Sequence, residues 1–195
     1  MLVFTHDFTF VQYLYEQRTR LEREATATAR TRAAATISYV HIARSVRGAG
    51  ERTTSEQWRA VSVAEMIKRL NERIQNAEVL YKASDPAYEL QARDIVGAIR
   101  EAWEGFVEQE LLDGIVKRHE RTVQTQRLKR LVDIDDIDVK TVDDGMAITS
   151  RWLTGHAAPV SDGTQVIPPD QIRTELRKLT DYRRSVLARR NGAKP

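Results

Sequence analysis

Apolar residues recur at helical spacing from residue 61 onward. Positions 63, 66, 67, 70, 74, 77 and 80–81 form one stripe, which predicts an amphipathic helix over 61–83. The Ser-Asp-Pro sequence at 84–86 is typical of a helix start, and it predicts a long helix that reaches about Val116. Further helices are predicted at 125–131, over about 135–153, and from the prolines at 168–169 to about Arg190. This pattern predicts a mainly α fold.

The first 57 residues follow a different pattern. Residues 2–4 form a short apolar strand, and a helix with Asp7 as its N-cap is predicted next from apolar residues at 10, 11, 14 and 21. Residues 37–42 alternate between apolar and polar positions and are rich in β-branched side chains, which predicts a second strand. Gly48-Ala-Gly50 then breaks the pattern, and a polar loop follows to about Gln57. We therefore expect two domains, residues 1–50 and residues 58–195.

Composition excludes several classes of protein. The 195 residues include no cysteine and only four scattered histidines, so neither a disulfide nor a bound metal is expected. No apolar run approaches the roughly 20 residues that a membrane span needs. The N-terminus also lacks the basic region of a signal peptide. These features predict a cytoplasmic protein without a membrane partner.

The formal net charge of +3 is unevenly distributed. Six aspartates and one lysine lie between Asp133 and Asp144, whereas residues 173–195 of the last helix and the tail carry eight arginines and lysines against Glu175 and Asp181. A basic terminal helix can attract nucleic acid or an acidic partner, or it can be a solvated surface helix.

The tripeptide Thr5-His6-Asp7 follows the opening strand. At the carboxyl edge of an open α/β sheet, where ligands bind, a neutral imidazole can hydrogen-bond a phosphate oxygen or a water. A strand-end surface histidine is the alternative. The longer string Leu2-Val-Phe-Thr-His-Asp-Phe-Thr-Phe10 resembles the switch-histidine loop of ABC-type ATPases related to the SMC and RecF groups. That resemblance implies that His6 senses the terminal phosphate of ATP.

The remaining ATPase motifs are missing from the sequence. There is no Gly-x-x-x-x-Gly-Lys-Ser/Thr, no acidic strand end for magnesium and no signature motif. We therefore expect no cofactor and no ATP hydrolysis for this chain alone. ATP and Mg²⁺ are implied only for a complete ATPase, of which residues 1–50 would be the C-terminal piece.

Two further pairs of residues could carry chemistry. Arg100 and Glu104 lie four residues apart on a predicted helix, so they share one face; an ordinary surface ion pair has the same spacing. Arg151 and His156 lie five residues apart at the end of a later helix. There Arg151 could neutralise a phosphate while His156 moves protons. Alternatively, His156 is the cation that a helix C-terminus favours.

Three strings together resemble a known group of proteins. They are Arg100-Glu-Ala-Trp-Glu104, Val123-Gln-Thr-Gln-Arg-Leu128 and Ser150-Arg-Trp-Leu-Thr-Gly-His156, and they look like the C-terminal region of bacterial AAA/ABC-type ATPases of the anticodon-nuclease group. In that group a HEPN-like helical domain follows the ATPase. The resemblance implies that His156 is the acid/base, that Arg100 and Arg151 bind phosphate, and that Glu104 is an orienting or basic partner. Trp152 departs from the pattern, since a small polar residue usually follows the arginine.

The expected function is that of an anti-phage defence-type ATPase fragment. Residues 58–195 would be a HEPN-like helical bundle that cuts tRNA or another RNA through the ribose 2′-hydroxyl, without a metal. The resemblance also implies a homodimer. The alternative is a non-catalytic helical module that binds a protein or nucleic acid and acts with an ATPase supplied in trans. A truncated reading frame without an independent role is the third reading.

Overall fold

The computed structural model describes residues 40–45, 48–53, 61–117, 123–154 and 166–192, together with positions 3, 5, 10, 11, 13, 14, 17 and 21. The chain divides into two compact units. The first comprises Met1–Val61 with Arg118–Arg121, and the second comprises Ser62–Lys117 with Thr122–Pro195. The described residues are mainly helical, as predicted.

The first unit contains an antiparallel strand pair, β1 (His41–Ser45) and β2 (Gly48–Thr53). The prediction that Gly48-Ala-Gly50 interrupts the strand pattern is wrong, because these residues begin β2. Ala43 pairs with Glu51 and Arg44 with Ala49, so Gly50 is the extra residue of a β-bulge. Its φ of +95° is a conformation that glycine adopts without strain. The glycine therefore bends the strand without ending it.

Nearer the N-terminus, the described residues test two predictions, the helix after Asp7 and the strand at residues 2–4. Positions 10, 11, 13, 14, 17 and 21 are helical, which agrees with the helix predicted after Asp7. Val3 is exposed and belongs to no strand. The strand predicted at residues 2–4 is therefore absent at Val3, its middle residue. Leu2, Phe4 and His6 lie outside the described residues, so the phosphate-sensing role of His6 stays a prediction.

The described residues of the second unit form four α-helices, named α1 (Val63–Lys82), α2 (Ala87–Phe106), α3 (Asp136–Thr154) and α4 (Pro169–Gly192). A π-helical turn, Val107–Leu111, continues α2, and a 3₁₀ helix, Thr125–Asp133, precedes α3. None of these helices is both long and apolar enough to cross a bilayer.

Local signals set the helix ends. The Ser62 hydroxyl accepts a hydrogen bond from the amide of Glu65 at 3.3 Å, and Asp85 Oδ1 accepts from the amide of Ala87 at 2.8 Å, so both helix starts are capped. The long helix predicted to reach Val116 ends earlier, because Asp113 and Gly114 adopt left-handed φ angles of 51° and 63°. Such residues stop a helix.

The core of the second unit is centred on α2. Trp103, Phe106, Ile95 and Ile99 of this helix are fully buried, together with residues from α1 and α4. The partners from those two helices include Leu70, Ile74, Ile172, Leu176 and Leu179. The Trp103 and Phe106 rings meet edge to face at 6.1 Å, an arrangement that aromatic pairs favour.

Helix α3 packs antiparallel against α2. The backbone of Gly145 lies against the ring of Trp103, and Gly97 faces Cδ2 of Leu153 at the opposite end of the contact. Residues late in α3 therefore lie beside residues in the middle of α2. This register decides which of the predicted site residues are neighbours.

Candidate functional site

Arg100 and Glu104 form the pair that their spacing predicts. Arg100 Nε lies 3.6 Å from Glu104 Oε1, and the two side chains are 41% and 31% exposed. The separation exceeds the 2.7–2.9 Å or so of a strong charge-assisted hydrogen bond. Solvent reaches both groups, so the pair is an accessible surface feature of α2.

Arg151 lies on a different surface from that pair. It is exposed in the last turn of α3, two residues from Thr149 and two from Leu153. Thr149 is buried and Leu153 contacts Gly97, so the face that carries these two residues is directed toward α2. Because each residue turns an α-helix by about 100°, Arg151 points from the opposite face of α3.

The four residues proposed for catalysis are thus only partly placed. Arg100 and Glu104 are together, Arg151 is on the outer face of the neighbouring helix, and His156 lies outside the described residues. Within the described ranges, no group of histidine and acidic side chains could hold a metal ion. A shared catalytic role for the four stays a prediction.

The cations of α4 are largely paired with carboxylates of the same unit. Arg173 contacts Glu78 at 2.7 Å, and Arg183 contacts Glu110 at 2.8 Å. Further pairs join Lys178 to Glu175, Arg184 to Asp181, Arg189 to Asp138 and Arg190 to Asp133. The positive charge of this helix is therefore directed mainly toward its own unit, which disfavours α4 as a nucleic-acid surface.

Asp138 is the centre of this ion-pair network. Its side chain is fully buried and accepts hydrogen bonds from Arg189, from the Tyr182 hydroxyl and from the amide of Asp135. Burial pushes the pKa of Asp138 upward, but these hydrogen bonds outweigh burial and hold the pKa below its usual value. The carboxylate is therefore charged and fully engaged.

Arg190 links three parts of the second unit. Its Nε and Nη2 donate to the two oxygens of Asp133 at 2.8 and 3.0 Å. Nη2 also donates to the carbonyl of Leu111 at 2.8 Å, and Nη1 donates to the carbonyl of Glu110. The last carbonyls of a helix have no partner within the helix, so Arg190 completes the end of the π-helical turn.

The pKa of Glu110, on the same turn, is shifted in the opposite direction from that of Asp138. Burial raises the pKa of Glu110, and the pairing with Arg183 only partly opposes that rise.

In the sequence, the acidic stretch at 133–144 and the basic last helix are two separate features. Their complementary charges were the signal that could have shown them to be one network.

Four aliphatic side chains lie exposed close together in the sequence, and we call them the outer corner. They are Leu128, Val132, Ile137 and Val139, which are 50%, 86%, 68% and 54% exposed. The 3₁₀ helix, to which the first two belong, buries none of its residues. Apolar spacing could not have revealed the outer corner, because Leu128 and Val132 lie four residues apart, a spacing that equally predicts a buried helical face.

Polar contacts hold the 3₁₀ helix in place. With three residues per turn, Arg127, Arg130 and Asp133 fall on one face. Arg127 donates to the carbonyl of Asp113 at 2.8 Å, Arg130 lies 3.9 Å from the Asp113 carboxylate, and Asp133 binds Arg190. The outer corner is therefore fixed from behind while its aliphatic groups face solvent.

Comparisons with protein-family models, curated proteins and solved structures find no match for this chain.

Proposed function

We propose that the second unit is a non-catalytic helical interaction module. The observation that carries this proposal is the outer corner, where four aliphatic side chains are at least half exposed within twelve residues. Each buried square ångström of apolar surface is worth about 25 cal/mol, so a partner that covered these side chains would gain binding energy. Clustered exposed apolar groups with a polar rim are typical of protein interaction sites.

Two further observations support a binding role over a chemical one. The cations of α4 are paired within the unit, and Arg151 points away from the helix that carries Arg100 and Glu104. As the partner we propose an ATPase supplied by another polypeptide. This part of the proposal comes from the resemblance of residues 2–10 to a switch-histidine loop.

Capture from native cells tests this role. The tagged chain, expressed at its natural level and cross-linked briefly, should retain a protein that carries a Gly-x-x-x-x-Gly-Lys-Ser/Thr loop. The retained protein should hydrolyse ATP in the eluate, whereas the purified chain should not. If no such ATPase is retained in repeated captures, the proposal of a partner ATPase fails.

Metal-independent RNA cleavage is a second candidate function. The observation in its favour is the solvent-accessible Arg100–Glu104 pair, together with the contact between Gly97 and Leu153. That contact places the last turn of α3 beside Gly97, one helical turn before Arg100, although Arg151 itself lies on the opposite face of α3. In this proposal His156 is the acid/base, Glu104 orients it or acts as a base, and the two arginines bind phosphate.

Incubation of the purified protein with total tRNA tests the second candidate. Cleavage predicts discrete fragments that appear in EDTA and disappear in His156→Ala and Arg100→Ala variants. Arg184→Ala is the matched control, because Arg184 is 75% exposed on α4, away from the proposed site residues in the sequence. Intact tRNA after incubation with the wild-type protein would reject cleavage and leave the interaction module standing.

A further inference from the structure

The second half of α4 is held in place mainly by charged groups. Of the six buried residues of this helix, which the structure describes in full, five lie up to Leu179 and the sixth is Val186. We call residues 180–192 the latch. Three arginine–carboxylate pairs at 2.8 Å hold it, and they are Arg183–Glu110, Arg189–Asp138 and Arg190–Asp133. Segments with few buried apolar side chains open more readily than the rest of a domain, so the latch is the part of α4 that can undock by itself.

The end of the 3₁₀ helix is attached to the latch. Asp133, the last residue of that helix, directly follows Val132 of the outer corner and binds Arg190 through both carboxylate oxygens. Arg190 Nη2 also donates to the carbonyl of Arg130 at 3.2 Å. The position of Val132 therefore depends on whether the latch is docked.

The start of α3 is attached in the same way. Asp138 lies between Ile137 and Val139 of the outer corner, and both of its carboxylate oxygens accept from Arg189. Undocking of the latch would leave this buried carboxylate without its cation, which is unfavourable until the start of α3 moves and water reaches the charge. Ile137 and Val139 then move with it.

The fourth side chain of the outer corner is attached elsewhere. Leu128 follows Arg127, whose guanidinium donates to the carbonyl of Asp113 at 2.8 Å, beyond the π-helical turn. That contact does not involve α4. The latch therefore governs three of the four aliphatic groups, and its undocking separates them from Leu128.

We infer that docking of the latch regulates the outer corner. With the latch docked, the four aliphatic groups are held together and a partner contacts all of them at once. With the latch undocked, a partner must first gather them, which lowers its affinity. Because such coupling is reciprocal, a partner bound at the outer corner stabilises the docked latch. The inference rests on the proposed interaction role, since it assigns regulation to the same site.

Native-state hydrogen exchange of the full chain in low urea tests whether the latch and the outer corner open together. The slowest amides of residues 180–192 should share one opening with the amides of Asp135 and Asp138, which donate to each other's carboxylates. The middle of α1 should exchange through global unfolding, at least about tenfold more slowly. The inference fails if the latch exchanges while Asp135 and Asp138 stay protected, or if all these amides exchange through global unfolding.

Two substitutions assign these openings to parts of the unit. Ser62 caps α1, which stays folded when the latch undocks, so Ser62→Ala should speed exchange about fivefold in the middle of α1 and leave the latch amides unchanged. Arg190→Ala weakens the docked state, so it should speed exchange of the latch and of the start of α3 at least about tenfold. Arg184→Ala is the matched control, because Arg184 lies in the latch but pairs with Asp181 of the same helix. Faster latch exchange in Ser62→Ala would overturn the inference.

Capture from native cells links the latch to binding. Arg189→Ala with Arg190→Ala removes two of the three ion pairs, so the latch should undock and the chain should retain at most about a fifth of the ATPase that the wild type retains. Arg177→Ala with Arg184→Ala removes the same charge from exposed positions of α4 and should retain as much as the wild type. Equal retention by both variants would overturn regulation by the latch. If the wild type retains no ATPase, the proposed function fails, while hydrogen exchange still decides whether the latch governs the outer corner.

Discussion

Arg189 reaches from α4 to α3 and donates from Nη2 to both carboxylate oxygens of Asp138, at 3.0 and 2.8 Å. The same aspartate completes the start of α3. Its Oδ2 accepts from the amide of Asp135 at 2.9 Å, while Asp135 Oδ1 accepts from the amide of Asp138 at 3.0 Å. This reciprocal pair is a capping box built from two aspartates. One buried carboxylate therefore both begins α3 and holds α4 against it.

We predict that Asp138→Ala strongly destabilises the second unit. The change leaves Arg189 and the Tyr182 hydroxyl without this acceptor and removes half of the capping box. The expected loss in free energy of unfolding is about 3 kcal/mol. Urea unfolding measures it, with Glu72→Ala, an exposed position on α1, as a control that should change stability by less than about 0.5 kcal/mol. A loss for Asp138→Ala as small as the control's would show that the network contributes little.

The free energy of unfolding should fall in acid, because Asp133 and Asp138 become protonated. Hydrogen bonds from Arg190 hold the pKa of Asp133 below its usual value of 3.8, and those from Tyr182, Asp135 and Arg189 do the same for Asp138 against the effect of burial. A carboxyl whose pKa is lower in the folded state stabilises the fold above its unfolded pKa. That stabilisation is lost as the pH falls from about 5 to below 3.8.

Urea midpoints measured across that pH range should fall less steeply for Asp138→Asn than for the wild type. Glu110 acts in the opposite direction, because burial raises its pKa and protonation then favours the folded state. Glu110→Gln should therefore steepen the acid loss. Parallel curves for all three proteins would contradict the assignment of these groups.

Two glycines should respond oppositely to replacement by alanine. A Cβ on Gly145 would lie 2.5 Å from Cε2 of Trp103, whereas a Cβ on Gly97 would meet Leu153 Cδ2 at an ordinary 3.9 Å. Gly145→Ala should cost about 1–3 kcal/mol, because the tryptophan must move. Gly97→Ala should stabilise the protein by about 0.5–1 kcal/mol through helix propensity. Thermal unfolding of both variants checks the close approach of α2 and α3, and stabilisation by both would contradict it.

Tyr88 should make the protein sensitive to alkali. Its hydroxyl donates to the carbonyl of Ile167, just before α4, and burial raises the pKa of Tyr88 to about 12. A group whose pKa is higher in the folded state contributes stability that is lost as the pH rises from its unfolded value of 10.0 toward 12. Tyr88→Phe should lose about 1 kcal/mol at neutral pH and show a shallower decline in alkali. Unfolding midpoints at pH 8 and at about pH 11 distinguish the two proteins.

The sequence predicted those parts of the fold that depend on neighbours along the chain. The stripe at 63–81 and the Ser-Asp-Pro sequence at 84–86 are local signals, and the helices Val63–Lys82 and Ala87–Phe106 form where these signals predict them. The predicted break at Gly48-Ala-Gly50 was wrong, because glycine is typical both of a β-bulge within a strand and of a loop between elements.

The candidate site was predicted less completely, for a physical reason. The i to i+4 spacing is enough to pair Arg100 with Glu104, but no spacing fixes the relation of Arg151 to a different helix. The pairing of Arg189 with Asp138 spans 51 residues and depends on how α3 and α4 pack. The outer corner consists of apolar side chains that remain exposed after folding. Their exposure depends on how the helices pack, which the sequence pattern alone does not give.

The guanidinium of Arg190 also constrains the order in which this protein folds during synthesis. It closes the carbonyl end of a turn made about eighty residues earlier, at Glu110 and Leu111. A ribosome-bound chain can form α1 and α2 early, but the end of the π-helical turn lacks this partner until Arg190 has emerged. Completion of the second unit is therefore a late event, and synthesis that stops a few residues short of Arg190 should leave a helical pair that proteases attack at the turn.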